Sequence, residues 1–145
     1  MKCTLRLADG YNYLKEGGLE PYPVIPIYLY RRELEKVISV DALVDTGFDG
    51  ALILSRPLGY YISKHVEPEG FEELDAAGIG IPCDVYVLNV QIGKRWFKVK
   101  SHLPRAGDLG TIVGRILLNR IHLCLRGPES MLYLAKPNLH PKTGL

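Results

Sequence analysis

Short apolar segments separated by turn-forming residues recur along most of the 145-residue chain. Residues 2–7 alternate apolar and polar side chains, a pattern that predicts a half-buried strand. Pro26 places the next apolar segment at a sheet edge or a bulge, because proline cannot donate to a β-ladder. A series of short strands with regular turns predicts an all-β sandwich or barrel. The segments with the length and β-forming composition of strands lie at residues 24–30, 35–44, 51–54, 70–74, 81–92, 96–103, 111–113, 122–125 and 131–134.

Other segments depart from this β pattern. Residues 58–65 and 115–121 have the spacing of short helices, whereas residues 10–23 combine Gly, Pro and Tyr and predict a loop. The small-residue stretch 75–80 joins two strand-like segments, which predicts a hairpin with a flexible tip. Residues 136–145 contain two prolines and no apolar period. We therefore expect one domain over residues 1–135, followed by a C-terminal tail over residues 136–145.

Composition narrows the functional classes. With 47% hydrophobic and 23% charged residues, the chain resembles an ordinary soluble globular domain. A net charge of +2 is too balanced for a dedicated nucleic-acid or membrane-surface protein. No apolar run approaches the roughly 18 residues of a membrane span. The charged N-terminus and the three widely spaced cysteines further predict a cytoplasmic protein without a disulfide framework.

One strand-like segment runs directly into an acid, a hydroxyl and a glycine at Asp45, Thr46 and Gly47. A plain turn explains such a triplet, because all three residue types favour turns. A second apolar segment, residues 111–113, leads through a Gly-Arg pair into the second predicted helix. This second segment gives the triplet weight beyond that of an ordinary turn.

Together, residues 44–47 (Val-Asp-Thr-Gly) and 112–115 (Ile-Val-Gly-Arg) resemble the retropepsin-like aspartic proteases, the family of retroviral proteases and their cellular relatives. In that family an apolar-apolar-Asp-Thr/Ser-Gly loop carries the catalytic acid, and an apolar-apolar-Gly-Arg segment passes beneath it into a helix. The resemblance covers roughly residues 24–134. It implies an all-β, single-lobed and closed retropepsin-like barrel with one short helix near its C-terminus. The length of the chain is more similar to that of bacterial and archaeal members.

The resemblance also implies a role for each residue of these segments. Asp45 would be the catalytic acid, with Thr46 and Gly47 supporting it and the Thr46 hydroxyl bonding across to a partner loop. Since the chain has no second Asp-Thr-Gly or Asp-Ser-Gly, a pair of carboxyls requires a homodimer with one Asp45 from each subunit. Two carboxyls about 3 Å apart share one proton and can activate water for peptide hydrolysis. Structural support beneath the loop would come from Ile112, Val113, Gly114 and Arg115.

Residues near the triplet are assigned on the same resemblance. Asp49 stands where retroviral members have an acid that pairs with the arginine, so we expect its carboxylate within about 4 Å of the Arg115 guanidinium. Phe48 replaces a usual alanine and either narrows the substrate cleft or packs into the core. The small-residue hairpin would form the flap over the substrate. The expected flap and substrate-binding residues are Phe48, Asp49, Ala76, Ala77, Gly78, Ile79 and Gly80.

Other chemistry has little support in the sequence. The four histidines are scattered without metal-ligand spacing, so we expect no metal and no cofactor. Cys83 and Cys124 lie in apolar strands and are expected to be packing residues.

We therefore predict a homodimeric aspartic endopeptidase whose partners are a second copy and an extended peptide or protein substrate, with no nucleic acid and no membrane. The alternative is a non-catalytic retropepsin-fold module for dimerisation or peptide binding, since a fold does not guarantee a function.

Overall fold

Ten β-strands and two short helices make up the structure, a computed structural model that describes residues 2–140. The helices are α1 (Arg56–Ser63) and α2 (Arg115–Leu118), and a 3-10 turn covers Arg32–Leu34. The prediction of an all-β fold is confirmed. The strands are β1 (Lys2–Asn12), β2 (Val24–Tyr30), β3 (Ile38–Val44), β4 (Leu52–Ile53), β5 (Gly70–Ala76), β6 (Ile79–Ile92), β7 (Arg95–Pro104), β8 (Ile112–Val113), β9 (His122–Arg126) and β10 (Met131–His140).

Seven strands form one sheet that closes into a ring. Their order is β2-β3-β8-β4-β7-β6-β5, and a second pairing between β2 and β6 closes the ring. Strand β5 pairs with β6 alone, so it extends out of the ring as the outer strand of a hairpin. Pro26 lies in the half of β2 that pairs only with β3. Its lack of an N–H therefore removes no hydrogen bond to β6, which pairs with the other half of the strand.

The interior of the ring is filled by aliphatic side chains from alternating strand positions. In β2, every second residue is fully buried, which places one face of the strand in the core. Burial of these side chains is the main favourable contribution to folding. The largest fully buried side chains of the core are Ile25, Ile27, Leu29, Leu34, Leu52, Leu54, Ile62, Leu88, Val90, Val113, Leu117 and Leu132.

A separate antiparallel sheet joins the two ends of the chain, in the order β1-β10-β9. Strand β1 runs to Asn12, so the loop expected from residue 10 begins later. The strand can continue through Gly10 because glycine has no Cβ. Any other residue would place a Cβ only 2.6 Å from the ring of Tyr133 in β10. Strand β10 continues to His140 by pairing with the start of β1. Residues 136–140 are therefore strand and not tail, and residues 141–145 of the expected tail lie outside the described residues.

Helix α1 is shifted from its predicted span, and helix α2 is shorter than predicted. Helix α1 begins two residues before the predicted start, because Ser55 caps it by accepting the N–H of Leu58 at 3.4 Å. Gly59 lets α1 approach β7 closely, since a Cβ there would overlap the side chain of Leu103. Helix α2 is a single turn, and Arg120 and Ile121 follow it with 3-10-type hydrogen bonds to Leu117 and Leu118. No helix within residues 2–140 is long and apolar enough to cross a membrane.

Candidate active site

Asp45 is the first residue after β3, where the chain leaves the ring. Its N–H donates to the carbonyl of Val113 at 3.0 Å. Its carboxylate Oδ1 accepts the N–H of Gly47 at 2.8 Å, and its carbonyl accepts the N–H of Phe48 at 3.2 Å. A Cβ at position 47 would lie 3.1 Å from the same Oδ1, so the glycine leaves room for the carboxylate over the turn. The half-buried Asp45 side chain is therefore held in one orientation by its own loop.

The segment after β7 passes beneath this loop. Strand β8 runs parallel to β3 and antiparallel to β4, which places it between them. The N–H of Arg115 then donates to the carbonyl of Phe48 at 2.8 Å, and the N–H of Ile116 donates to the carbonyl of Gly50 at 3.0 Å. The first N–H groups of a helix have no partner inside the helix. Helix α2 thus satisfies its free donors on the loop and fixes the loop to the barrel.

Gly114, between β8 and α2, has no room for a side chain. A Cβ there would lie 2.7 Å from the carbonyl oxygen of Phe48 and also under 3.0 Å from the Phe48 ring and the carbonyl of Gly50. The Phe48 ring lies against both glycines, is half-buried and also borders the cleft described below. Phe48 therefore packs against the loop and also borders the cleft, while its effect on a substrate stays a prediction.

The expected ion pair between Asp49 and Arg115 is not formed. Among the ion pairs of the described residues, with nitrogen and oxygen within 4.0 Å, neither side chain takes part. The Arg115 guanidinium donates instead to the carbonyl of Thr46 at 3.3 Å. Arg115 therefore supports the loop through two backbone carbonyls, one accepting from its side chain and one from its N–H. The prediction was wrong because a sequence shows which charges are available and not which acceptor is nearest.

The predicted hairpin is formed by β5 and β6. Its two-residue turn consists of Ala77 and Gly78, whose φ angles are 53° and 83°. Two consecutive positive φ angles match the twist of paired strands and are typical of a type I′ turn. The carboxylate of Asp75 accepts the N–H of Gly78 at 3.0 Å and closes the turn. Ala77 is strained here, because only glycine, asparagine and aspartate adopt this conformation at low cost.

A cleft of about 640 Å³ lies between the Asp45 loop and the hairpin. Of the expected site residues, its walls include Asp45, Gly47, Phe48, Asp49, Ala76, Ala77, Ile112 and Arg115. Its walls do not include Thr46, Gly78, Ile79, Gly80, Val113 and Gly114. The sequence analysis missed the lining residues Ile53, Glu73, Leu74, Asp75, Ile81 and Leu109.

Leu109 is the missed residue that the sequence could have indicated. It is 46% exposed in the loop before β8, between glycines at positions 107 and 110 that both have positive φ. Binding residues lie disproportionately on loops, so a large apolar side chain in this loop was a candidate for the cleft. Ile53 could not have been found this way, because only the pairing of β4 with β8 brings it to the cleft.

The charges around the cleft are mostly negative. Carboxylates from the loop (Asp45 and Asp49) and from β5 (Glu73 and Asp75) face one cation, that of Arg115. Within residues 2–140, no group of three or more His, Cys, Asp or Glu side chains is placed to hold a metal ion. A fixed carboxyl on the wall of a cleft can take a proton from a bound water or give one to a bound substrate.

Comparison with known proteins places the fold. No protein-family model matches the sequence, and neither does any curated protein. A solved structure of a retropepsin-like aspartic protease from Rickettsia conorii superposes with a TM-score of 0.59 at 17% identity, covering 94% of this chain and 97% of the other. The EIAV protease complexed with the inhibitor HBY-793 has a TM-score of 0.49 at 16% identity over 73% of this chain and 93% of its own, a similarity too low to add weight. The ring of strands, the β5–β6 hairpin and the first of these superpositions together show that the chain has the retropepsin-like fold.

Proposed function

We propose that the chain is one subunit of a homodimeric aspartic endopeptidase, with Asp45 as its catalytic residue. The observation that carries the proposal is the geometry of the Asp45 loop. The loop holds the carboxylate by the N–H of Gly47 at 2.8 Å, rests on the start of α2 and borders a cleft of about 640 Å³. The similarity in fold to a protein named as an aspartic protease supports the same class of chemistry.

The proposed mechanism needs two copies of this loop. The chain contains one Asp-Thr-Gly, so a twofold axis must bring a second Asp45 carboxyl beside the first. Two adjacent carboxyls share one proton, because they cannot both ionise easily. The charged carboxyl takes a proton from water, which attacks the scissile carbonyl carbon, while the protonated carboxyl donates to the carbonyl oxygen. Thr46, whose side chain is exposed, is free to bond to the partner loop across the axis.

The proposed substrate is an extended peptide. The cleft lies between a rigid loop and a hairpin whose outer strand β5 has one neighbouring strand. A strand-like peptide can be held in such a cleft by backbone hydrogen bonds, with side chains in alternating subsites. A hairpin over the cleft can open to admit the peptide and close to exclude water.

The decisive variant is Asp45→Asn, with Asp41→Asn as its matched control. Asp41 lies on β3, the strand that leads into the loop; it is exposed and does not border the cleft. We expect Asp45→Asn to abolish cleavage of an unstructured protein between pH 3 and 7, and Asp41→Asn to keep it. Wild-type cleavage should stop when pepstatin is added. Full activity of Asp45→Asn would remove Asp45 from the mechanism.

Mixing the two proteins tests whether the site is shared between subunits. If wild type and Asp45→Asn exchange freely in equal amounts, about a quarter of the dimers carry two Asp45 residues, so activity should fall to about a quarter of that of wild type alone at the same total concentration. A fall to one half would show that each subunit acts alone. A dimer that binds peptides but cleaves none at any pH would instead favour the non-catalytic peptide-binding module.

A further inference from the structure

Glu72 of β5 links the hairpin to the body of the barrel. Its carboxylate accepts from His102 Nε2 through Oε1 at 2.8 Å and from Lys100 Nζ through Oε2 at 2.8 Å. Both partners belong to β7, and β6 lies between the two strands, with Cys83 opposite Glu72 and Val85 opposite His102. One carboxylate of β5 therefore reaches across β6 to two side chains of β7.

The anchor of this link is rigid. The side chain of His102 is only 7% exposed, and its backbone pairs with β4 on one side and β6 on the other. The His102 Nδ1 atom is buried and has no hydrogen-bond partner among the described residues. Among the described residues, Glu72 is thus the only side chain that forms a hydrogen bond with the imidazole. Because a carboxylate can only accept a hydrogen bond, the proton of this bond is carried by Nε2 of His102.

The free end of the link is the hairpin. Strand β5 has one neighbouring strand, and its last residue, Ala76, borders the cleft together with Ala77 of the turn. Among the described residues, the hydrogen bonds of the tip are those of the β5–β6 ladder and the bond from the Gly78 N–H to the Asp75 carboxylate. We infer that Glu72 is a positioning residue, which pins the base of the β5–β6 hairpin to β7 and so sets how closely the hairpin lies over the Asp45 cleft.

The charges around Glu72 make this link sensitive to acid. Lys100 and His102 face it from β7, the thiol of Cys83 faces it from β6, and the adjoining cavity of about 570 Å³ is also lined by Lys98 and Arg120. The hydrogen bonds from Lys100 and then His102 hold the pKa of Glu72 below its ordinary value. A carboxyl with a lowered pKa in the folded state stabilises above its unfolded pKa, and this stabilisation is lost as the pH falls through the lowered value. The hairpin should therefore loosen in acid.

Hydrogen exchange of the full-length protein, followed by mass spectrometry, tests the inference without any substrate. The variant is Glu72→Gln, and the matched control is Glu73→Gln, the next residue of the same strand, which forms no ion pair among the described residues. At pH 7 we expect the hairpin amides over residues 72–81 to exchange about tenfold faster in Glu72→Gln, since two charge-assisted hydrogen bonds are weakened. The Glu73→Gln protein should match wild type. As the pH is lowered through the depressed pKa of Glu72, the ratio of Glu72→Gln to wild type should fall towards one, because the wild-type carboxyl is then protonated and makes the same weaker bonds.

Two results would overturn the inference. One is equal hairpin exchange in Glu72→Gln, Glu73→Gln and wild type at pH 7. The other is a ratio that does not fall at any acid pH at which both proteins remain folded, which would show a structural defect unrelated to the charge. If Glu72→Gln does not fold, Lys100→Gln replaces it, because Lys100 is 62% exposed and its loss removes one of the two contacts. That variant should show a smaller increase in the same residues, and no increase would refute the link.

The consequence for cleavage rests on the proposed function. A looser hairpin should raise KM at pH 6 while kcat changes little, and this difference should shrink towards pH 3. If even the wild-type protein cleaves no substrate, the proposed function fails while the exchange measurement still decides the role of Glu72. If cleavage is normal but exchange is unaffected by Glu72→Gln, the inference fails and the proposed function stands.

Discussion

Replacement of Gly114 by alanine tests whether the loop and α2 form one packed unit. The added Cβ would lie 2.7 Å from the Phe48 carbonyl oxygen and under 3.0 Å from the Gly50 carbonyl oxygen and the Phe48 ring. Two of these atoms are backbone atoms that cannot move aside as a flexible side chain can. Moving them strains the bonds from Arg115 at 2.8 Å and from Ile116 at 3.0 Å.

The expected cost follows from these contacts. Overpacking of a dense site costs about 1–3 kcal/mol, and each weakened backbone hydrogen bond adds about 0.5–1.5 kcal/mol. We therefore expect Gly114→Ala to lose about 2–6 kcal/mol of unfolding free energy. For a chain of this size this loss lowers Tm by roughly 7–20 °C.

Urea and thermal unfolding followed by circular dichroism measure the effect, at one fixed protein concentration because dimerisation shifts apparent stability. Gly127→Ala is the matched control, since a Cβ at position 127 meets nothing within 4 Å and its φ is not positive. A Gly114→Ala protein as stable as Gly127→Ala would refute the packing argument and the support that it gives to the Asp45 loop.

Two further predictions concern the hairpin and the loop. Ala77→Asn should stabilise the protein by about 0.5–1 kcal/mol, because asparagine tolerates the positive φ that strains alanine, and thermal unfolding measures the gain. Asp49→Asn should change stability by less than about 0.5 kcal/mol, whereas Arg115→Ala should cost about 1 kcal/mol through its bond to the Thr46 carbonyl. A double-mutant cycle should find little coupling between Asp49 and Arg115, and a coupling above about 1 kcal/mol would show an ion pair in solution.

Several features of the fold and site could be predicted from the sequence. Strand positions follow from a two-residue apolar alternation, and hairpin turns follow from Gly and small residues, since both signals act between near neighbours in the chain. The Asp-Thr-Gly turn is of the same kind, because the bond from the Gly47 N–H to Asp45 Oδ1 spans two residues. The resemblance to retropepsin-like proteases rested on two such local segments at a particular separation, and the fold that it implied is confirmed.

Other features depended on which distant segments meet. The sequence showed that Asp49 and Arg115 carry opposite charges, but the fold brought the guanidinium to the Thr46 carbonyl instead. The proline-containing end of the chain predicted a tail, yet residues 136–140 pair with the first strand. The link from Glu72 to His102 joins residues 30 positions apart and has no sequence signature.

The local pattern of this chain thus determined most of its strands, its turns and the bond from the Gly47 N–H to the Asp45 carboxylate, because their energies depend on neighbouring residues. The tertiary structure alone decided the partners of Arg115, Gly114 and Glu72. Such partners are chosen by close packing and by the nearest available acceptor, and these arise only when strands distant in sequence close the ring.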